Sequence, residues 1–426
     1  MDAEMEKKLN LALDSAMEEF LEPNEEVFQS SSQRKKFFFE YTHKYDAMFD
    51  SSQKCMFLGC GKQSIPHSHT LQKNGTLKFI SQDNHVLHPS FNNRKGKMDI
   101  ERMGINTASS FPGFCSDHES IFHTFENTKE IHKDKDIRLQ LFRTICRELQ
   151  VKKMILYHLI LQKNEYHSHQ QSRFKEILLK HLGELDLEEN AIQKINFHRV
   201  DDKLYYYKNE INDLENFIRF IRDKYYKPFS IDIQKGKDKI YYRALNIQDL
   251  NIPVCLAGIG VFNKVEINKT KKIIFVLNVI PQNKGTLVIL GTTKSNKKYL
   301  DKYARYYFQD ALLTLVMIES WMIYVSDHWF IKQSIWEVIP KERREKILSD
   351  ILNLNYGLFD KYTLSIFDDI RREILKKIDQ ENNWHDFNKE TIEFIQKEKN
   401  KLNHDPQIYD LYPVEDLLKT KGYVNN

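Results

Sequence analysis

Apolar residues recur at helical spacing over both ends of the chain and much of its middle. Within residues 4–21, Met5, Leu9, Leu13 and Met17 follow one another at steps of four, which predicts an amphipathic helix. The same spacing predicts helices over Arg34–Phe49, Lys135–Lys180 and Asp213–Tyr225, and over most of residues 299–426.

Residues 229–292 instead carry the pattern of a β-sheet. Short runs of β-branched and aromatic residues are separated by turn residues. The segment Pro281–Gly285 joins two such runs and predicts a hairpin connection. We therefore expect a mostly antiparallel central sheet built from the runs 231–233, 240–242, 252–259, 273–280 and 286–290.

Residues 51–126 follow neither pattern. Glycine, serine, proline, asparagine and histidine are concentrated there, and no long helical period is present. A segment with so little apolar surface needs an additional source of stability, which a bound metal ion supplies in many small domains.

The charge of the chain is nearly balanced but unevenly distributed. With 64 basic and 60 acidic residues, the net charge of +4 neither favours nor excludes nucleic acid. Between Lys264 and Arg305, however, ten basic residues face only two acidic ones. This stretch is either a solvated surface or a site for an anionic partner. Its candidate nucleic-acid-binding residues are Lys271, Lys272, Lys284, Lys294, Lys297 and Lys298.

The N-terminus and the longest apolar run bear on localisation. The N-terminus is acidic and has no apolar segment of the kind found in signal peptides. The run Ala311–Val325 is too short to span a bilayer and contains Glu319. We expect a soluble, cytoplasmic protein.

The five cysteines divide into two groups. Cys146 and Cys255 lie in apolar surroundings, which is typical of small buried side chains, and no disulfide framework is indicated. Cys55 and Cys60 flank a turn that contains Gly59, while Cys115 and His118 lie three residues apart at a predicted helix start. The residues Cys55, Cys60, Cys115 and His118 therefore predict a closed, tetrahedral structural zinc site.

Two alternatives to this ligand set stay open. In the first, the cysteines are free and His118 lies at the surface. In the second, another histidine takes the place of His118 as the fourth ligand. The histidines near enough in sequence are His67, His69, His85, His88 and His123.

A turn with two cysteines, a hairpin, and a helix with two further ligands resembles a treble clef. With the histidines of Ile65–His69 after the first pair, residues 51–127 resemble the HNH (ββα-metal) nucleases. The resemblance implies that His69, or else His67, is the general base. It also implies that Glu119 or His123 binds a catalytic Mg²⁺ or Mn²⁺.

The sequence departs from the HNH pattern in two places. Glu119 stands where a histidine or asparagine is expected, and the segment from Leu71 to Phe114 is longer than a minimal hairpin. His69 then has a second interpretation, as a residue that braces the metal-binding turn or binds zinc. The remainder of the chain resembles uncharacterised bacterial proteins of mobile elements and phage defence.

These observations predict an α+β protein of five regions. They are N-terminal helices (1–50), a treble-clef zinc module (51–127), a helical region (128–225), a β-sheet region (226–298) and a C-terminal helical region (299–426) that packs with the sheet.

Two functions are compatible with this organisation. The first is an HNH-like or degenerate HNH metal-dependent nuclease that acts on DNA or RNA in bacterial anti-phage defence. The second is a non-catalytic, zinc-stapled binding or sensor protein that recognises a ligand through its sheet. Nucleic acid, a protein partner and a second copy of the chain are the expected partners.

Overall fold

The computed structural model describes residues 3–21, 44, 47–92, 96–182, 202–266, 269–353, 355–380 and 388–402. The chain divides into two compact units. The first comprises Met1–Met48 and Val151–Arg219, and the second comprises Phe49–Gln150 and Phe220–Asn426. The predicted domain boundaries stay predictions.

The first unit is helical where it is described. It contains α1 (Ala3–Leu21), the later part of the long helix α5 (Asp134–Leu182) and most of α6 (Asp202–Ile221). The amphipathic face of α1 is buried against α5, and the rings of Phe20 and Phe174 meet edge to face with centroids 5.7 Å apart. The predicted helix over Arg34–Phe49 lies almost wholly outside the described residues.

The second unit is built on a seven-stranded sheet in the order β3-β2-β9-β6-β7-β8-β5. Every strand pairing in it is antiparallel, which confirms the expected α+β fold with a central antiparallel sheet. The strands are β2 (His85–Asn92), β3 (Lys97–Gly104), β5 (Ile240–Gln248), β6 (Val254–Glu266), β7 (Lys269–Gln282), β8 (Gly285–Thr293) and β9 (Trp329–Ile331).

The strand prediction is correct for β5 to β8 but wrong for residues 231–233. Those residues belong to the helix α7 (Lys227–Lys235), which ends at Gly236 with φ of 60°. The carboxylate of Asp232 is buried there and accepts a hydrogen bond of 2.8 Å from the backbone N–H of Ile240. An apolar-acidic-apolar triplet fits a strand by its alternation, but here the helix places the carboxylate beside the partners that a buried charge requires, namely the N–H of Ile240 and the guanidinium of Arg138.

Short elements surround the metal-ligand candidates. The two-residue strands β1 (Ser68–His69) and β4 (Ser110–Phe111) pair with each other, and the β2–β3 hairpin lies between them in sequence. A π-helical turn (Lys73–Leu77) leads into α2 (Lys78–Ile80). The predicted helix after Cys115 consists of α3 (Ser116–Glu119), a 3-10 turn (Ser120–Phe122) and α4 (His123–Glu126).

Helices of the C-terminal part cover the sheet and form the hydrophobic core together with it. Trp321 and Trp329 are fully buried core residues. Their indole N–H groups donate to the hydroxyl of Tyr303 at 2.9 Å and to the carbonyl of Met322 at 2.7 Å. The helices are α8 (Lys297–Tyr307), α9 (Ala311–Ser320), α10 (Gln333–Val338), α11 (Lys341–Asp350), α12 (Asp368–Gln380) and α13 (Lys389–Lys401).

Among the described helices, none alone is long and apolar enough to cross a membrane.

Candidate metal centre and its polar surroundings

The turn that carries Cys55 and Cys60 is shaped by backbone hydrogen bonds. The N–H of Cys60 donates to Phe57 O and that of Cys55 to Lys62 O, both at 2.9 Å. Gly59 lies between the two cysteines with φ of +86°, a conformation that glycine adopts without the strain of a Cβ atom. The sequence therefore folds here into a tight turn that presents both thiols on one side.

Cys115 and His118 approach this turn from the start of α3. Cys115 is the N-cap residue, and its backbone N–H donates to Sγ of Cys55 at 3.3 Å. No side chain caps α3, and Asp117 in its first turn forms an ion pair with Lys62. The imidazole of His118 stacks on Phe57, with ring centroids 3.9 Å apart, and this contact fixes its orientation.

The four candidate ligands converge on one point. One donor atom of each residue lies within 4.8 Å of those of the other three. His118 Nδ1 is 3.2 Å from Sγ of Cys115 and 3.5 Å from Sγ of Cys55. Around a tetrahedral zinc ion, with Zn–S near 2.3 Å and Zn–N near 2.0 Å, sulfur and nitrogen lie about 3.5 Å apart. The arrangement therefore fits a closed Cys₃His metal site.

The alternative fourth ligands are not part of this cluster. Within the described ranges, Cys55, Cys60, Cys115 and His118 form the one group of three or more potential ligands. His67 and His123 are exposed, and His85 donates from Nδ1 to the carbonyl of Asp83. Cys146 and Cys255 are fully buried, as expected for cysteines that fill apolar space.

Burial has a direct consequence for metal binding. It raises the pKa of the Cys55 thiol to about 11, so this thiol keeps its proton at neutral pH in the absence of an ion. A metal ion must displace that proton, since the thiolate is the ligand. Binding is therefore expected to weaken as the pH falls.

His69 lies at the end of β1 and does not belong to the four-ligand cluster. Its Nδ1 is 3.0 Å from the carbonyl oxygen of Ala108, and because a carbonyl only accepts, Nδ1 carries the proton. The neutral ring then has its lone pair on Nε2. Burial lowers the pKa of His69 to about 4, and the positive charges of Arg143 and Lys73 act in the same direction. The imidazole is therefore neutral at physiological pH.

Glu119 is held by a residue that we did not anticipate from the sequence. The guanidinium of Arg143, on α5, forms ion pairs with Glu119 and with Glu126, and its Nη1 is 2.6 Å from Oε1 of Glu126. Its Cζ also lies 4.3 Å from the ring centroid of Phe122. The Arg143 side chain is 1% exposed and that of Glu119 14% exposed, so this is a largely buried ion pair.

Burial also acts on the Glu119 carboxyl group. It raises the pKa of Glu119, and the nearby Arg143 charge opposes this increase. The sequence signal for the ion pair was a single arginine on an otherwise apolar stretch of α5, between Phe142 and Ile145. Nothing in the sequence, however, identified its acidic partners.

The six candidate nucleic-acid-binding lysines do not form one patch. Lys271 and Lys272, near the start of β7, lie at the same end of the sheet as Lys294, Lys297 and Lys298, which follow β8. Lys284 lies in the turn at the opposite end, separated by the nine residues of β8, or about 27 Å. The ammonium groups of Lys271 and Lys298 lie 5.2 and 5.0 Å from the centroid of the Tyr299 ring.

Comparisons with protein-family models, with curated proteins and with solved structures find no match for this chain.

Proposed function

We propose that the Cys₃His cluster holds a structural zinc ion and that residues 51–127 are an HNH-like nuclease module acting on DNA or RNA. The order of the elements supports this proposal. Cys55 and Cys60 lie in a turn, and the paired strands β1 and β4 follow that turn in sequence. Cys115 and His118 then lie at the start of α3. Three thiolates and one imidazole form the ligand set of closed structural zinc sites.

One observation carries the nuclease part of the proposal, namely the state of His69. A general base needs an unprotonated nitrogen and a fixed ring orientation. The hydrogen bond from Nδ1 to Ala108 and the low pKa of His69 supply both. Nε2 of His69 then accepts the proton of the attacking water or hydroxyl group.

Glu119, one of the two residues that the HNH resemblance assigns to a catalytic Mg²⁺ or Mn²⁺, does not fit that ion in this arrangement. The Glu119 carboxylate is paired with Arg143, and its Oε2 is buried without a hydrogen-bond partner among the described residues. A hydrated Mg²⁺ retains several water ligands and requires an open position. A buried oxygen beside a guanidinium offers neither, so the proposal includes no step through a divalent ion.

The lysines at one end of the sheet are a candidate surface for the phosphate backbone. Lys271, Lys297 and Lys298 lie near the aromatic rings of Tyr241 and Tyr299. Cations beside aromatic rings bind single-stranded nucleic acid through phosphate contacts and base stacking.

The test is cleavage of plasmid DNA and of RNA by the purified full-length protein. Reactions contain Mg²⁺, Mn²⁺ or neither, and the variants are His69→Ala and the matched control His67→Ala, whose side chain is exposed. We expect the wild type and the control to cleave, and His69→Ala to lose about 100-fold or more of the rate. Zinc content verifies that each variant retains the module. Equal cleavage by wild type and His69→Ala contradicts the assignment of the base.

A second candidate function is favoured by the Arg143–Glu119 ion pair. A carboxylate neutralised in this way has a structural role, as expected of a zinc-stapled binding or sensor protein without catalysis. This candidate predicts that neither nucleic acid is cleaved, with or without an added divalent ion. It also predicts that His69→Ala retains the zinc, the fold and any ligand binding of the wild type.

A further inference from the structure

A cavity of about 600 Å³ lies between the Lys73–Ile80 segment and the start of the β2–β3 hairpin, both of which belong to residues 51–127. Cavities of this size accommodate small organic ligands. Its polar lining comes from separate parts of the chain and includes Lys73, Asn74, Lys78, Asn84, Asn106 and Lys129. Among the described residues, no aspartate or glutamate lines it. The cavity is therefore electropositive.

The three lysines keep their positive charge free for a ligand. Among the described residues, none of Lys73, Lys78 and Lys129 lies within ion-pair distance of a carboxylate. The Lys78 ammonium donates instead to the side-chain oxygen of Asn84, which holds it at the cavity. An uncompensated group of three ammonium ions is unfavourable in the empty protein and is stabilised by an anion.

The cavity is framed by ordered backbone. A Cβ atom on Gly75 would lie 3.0 Å from the carbonyl oxygen of Lys129, so the two segments pack directly on each other. Two residues further on, the N–H of Ile131 donates to the side chain of the buried Gln282 at 2.8 Å, which fixes the Lys129 loop to β7. Asn84 is the second residue of a two-residue hairpin turn, and both Asp83 and Asn84 have positive φ. The lining is thus positioned in advance of binding.

We infer that this cavity binds a phosphate group of a nucleotide or of a nucleic-acid strand. Lysine ammonium groups and asparagine amides are the donors that bind phosphate oxygens, and the cavity presents no carboxylate to repel them. The inference does not depend on nuclease activity, because binding requires no proton transfer.

Gly104 provides a sharp test. It lines the cavity, and a Cβ atom built on it has nothing within 4 Å and requires no unusual backbone conformation. Gly104→Glu therefore adds a carboxylate to the cavity without disturbing the packing, and Gly104→Gln is the matched neutral control. The full chain is titrated with inorganic phosphate, with mononucleotides and with short single-stranded DNA and RNA at low salt, by calorimetry and fluorescence anisotropy.

We expect saturable binding that Gly104→Glu weakens about tenfold or more, and that Gly104→Gln weakens less than about threefold. The double variant Lys78→Ala/Lys129→Ala is expected to weaken binding comparably, whereas Lys97→Ala, outside the cavity, leaves it unchanged. Each lysine that contacts the backbone of a strand contributes about 0.7 to the slope of log K against log salt.

Comparing mononucleotides with strands shows whether the bound phosphate belongs to a free nucleotide or to a nucleic-acid backbone. Binding of mononucleotides as tight as that of strands identifies a free nucleotide, and binding of strands alone identifies a nucleic-acid backbone. If none of these compounds binds, or if Gly104→Glu and Gly104→Gln bind equally well, the inference is wrong. Binding by His69→Ala at the wild-type level shows that the cavity acts independently of the proposed base.

Discussion

Single residues determine the chemistry of the metal centre. Cys55 and Cys60 are brought together by one turn, but the site closes only when Cys115 and His118 arrive from more than fifty residues away. Loss of one ligand is therefore expected to affect the fold of this region as well as its metal content.

Cys115→Ser tests this dependence. We expect the variant to lose its zinc and to unfold locally, because structural zinc sites contribute on the order of 10 kcal/mol to folding. Elemental analysis after dialysis measures the metal, and circular dichroism measures the fold. Cys146→Ala is the control, since Cys146 is equally buried but lies outside the cluster. A Cys115→Ser protein that keeps one zinc per chain would show that this thiol is not a ligand.

His69 gives the stability of the protein a specific pH dependence. The pKa of His69 falls from an ordinary value of 6.5 to about 4 in the folded protein because of burial. Between these values the unfolded chain binds a proton that the folded protein does not. The contribution of His69 to stability is therefore complete above about pH 6.5 and declines as the pH falls to about 4.

His69→Asn should reduce the decrease in the free energy of unfolding between about pH 6.5 and pH 4 by at most about 3 kcal/mol. Urea unfolding of wild type and variant at pH 7 and pH 4.5 measures the difference. Acid sensitivity from other buried histidines, such as His328, is common to both proteins. His67→Asn, at an exposed position, should retain the wild-type dependence. An unchanged pH dependence in His69→Asn would contradict the low pKa.

At the scale of elements, the local sequence pattern predicted strands β5 to β8, which follow one another along the chain. Strands β5 to β8 are joined by short turns and consist of runs of β-branched residues, so alternation and turn residues were sufficient to find them. Strand β9 was not found. It has three residues, and it is a strand only because it pairs with both β2 and β6.

The β2–β3 hairpin was missed for a related reason. Histidines, Pro89 and Asn92 interrupt its alternation, so the sequence resembles a loop. Its place in the sheet depends on the pairing of Leu87 in β2 with Ile331 in β9, which lie 244 positions apart in sequence. Pairings of this kind follow from tertiary structure, which no local pattern contains. The four candidate metal ligands could be predicted because their residue types are chemically distinctive, whereas the role of Arg143 could not.

The contact between α5 and the sheet depends on a glycine in β8. A Cβ atom on Gly291 would lie 2.5 Å from Cδ2 of Leu141, a fully buried residue of α5. Gly291→Ala is therefore expected to destabilise the protein by about 1–3 kcal/mol through overpacking. Urea unfolding measures this change. Gly357→Ala, where the added atom meets nothing within 4 Å, should stay within about 0.5 kcal/mol of the wild type.

A double-mutant cycle identifies the cause. If the Cβ atom clashes with Leu141, then Leu141→Ala combined with Gly291→Ala should be less destabilised than the sum of the single changes by about 1 kcal/mol or more. Additive effects would place the strain elsewhere in the sheet.

At the scale of the whole second unit, the metal-binding turn is connected to a helix far away in sequence. The hydroxyl of Tyr226 donates to the carbonyl of Met56 at 2.6 Å, and the side chain of Gln234 donates to the carbonyl of Leu58 at 3.0 Å. Helix α7 in turn holds the start of β5 through Asp232. These hydrogen bonds therefore connect the turn, through α7, to strand β5 at the edge of the central sheet.

The C-terminal helices are held together by a different interaction. The guanidinium of Arg371 on α12 is fully buried between Glu319 on α9 and Glu398 on α13, at 3.1 Å from Oε1 of Glu319 and Oε2 of Glu398. A buried, fully paired group of this kind resists local opening, because separating its charges leaves one of them unpaired in a low dielectric. This region does not use the metal ligands.

Removal of the metal should therefore loosen the second unit unevenly. Hydrogen exchange measured with and without a chelator should show faster exchange in residues 53–65 and 110–118, and to a smaller extent in α7, with α12 unchanged. In Tyr226→Phe the effect on α7 should decrease while the effect on the turn remains, because the hydroxyl that links them is absent. Exchange that rises equally in all segments, or that leaves α7 unchanged in the wild type, would show that these hydrogen bonds do not couple the metal centre to the sheet.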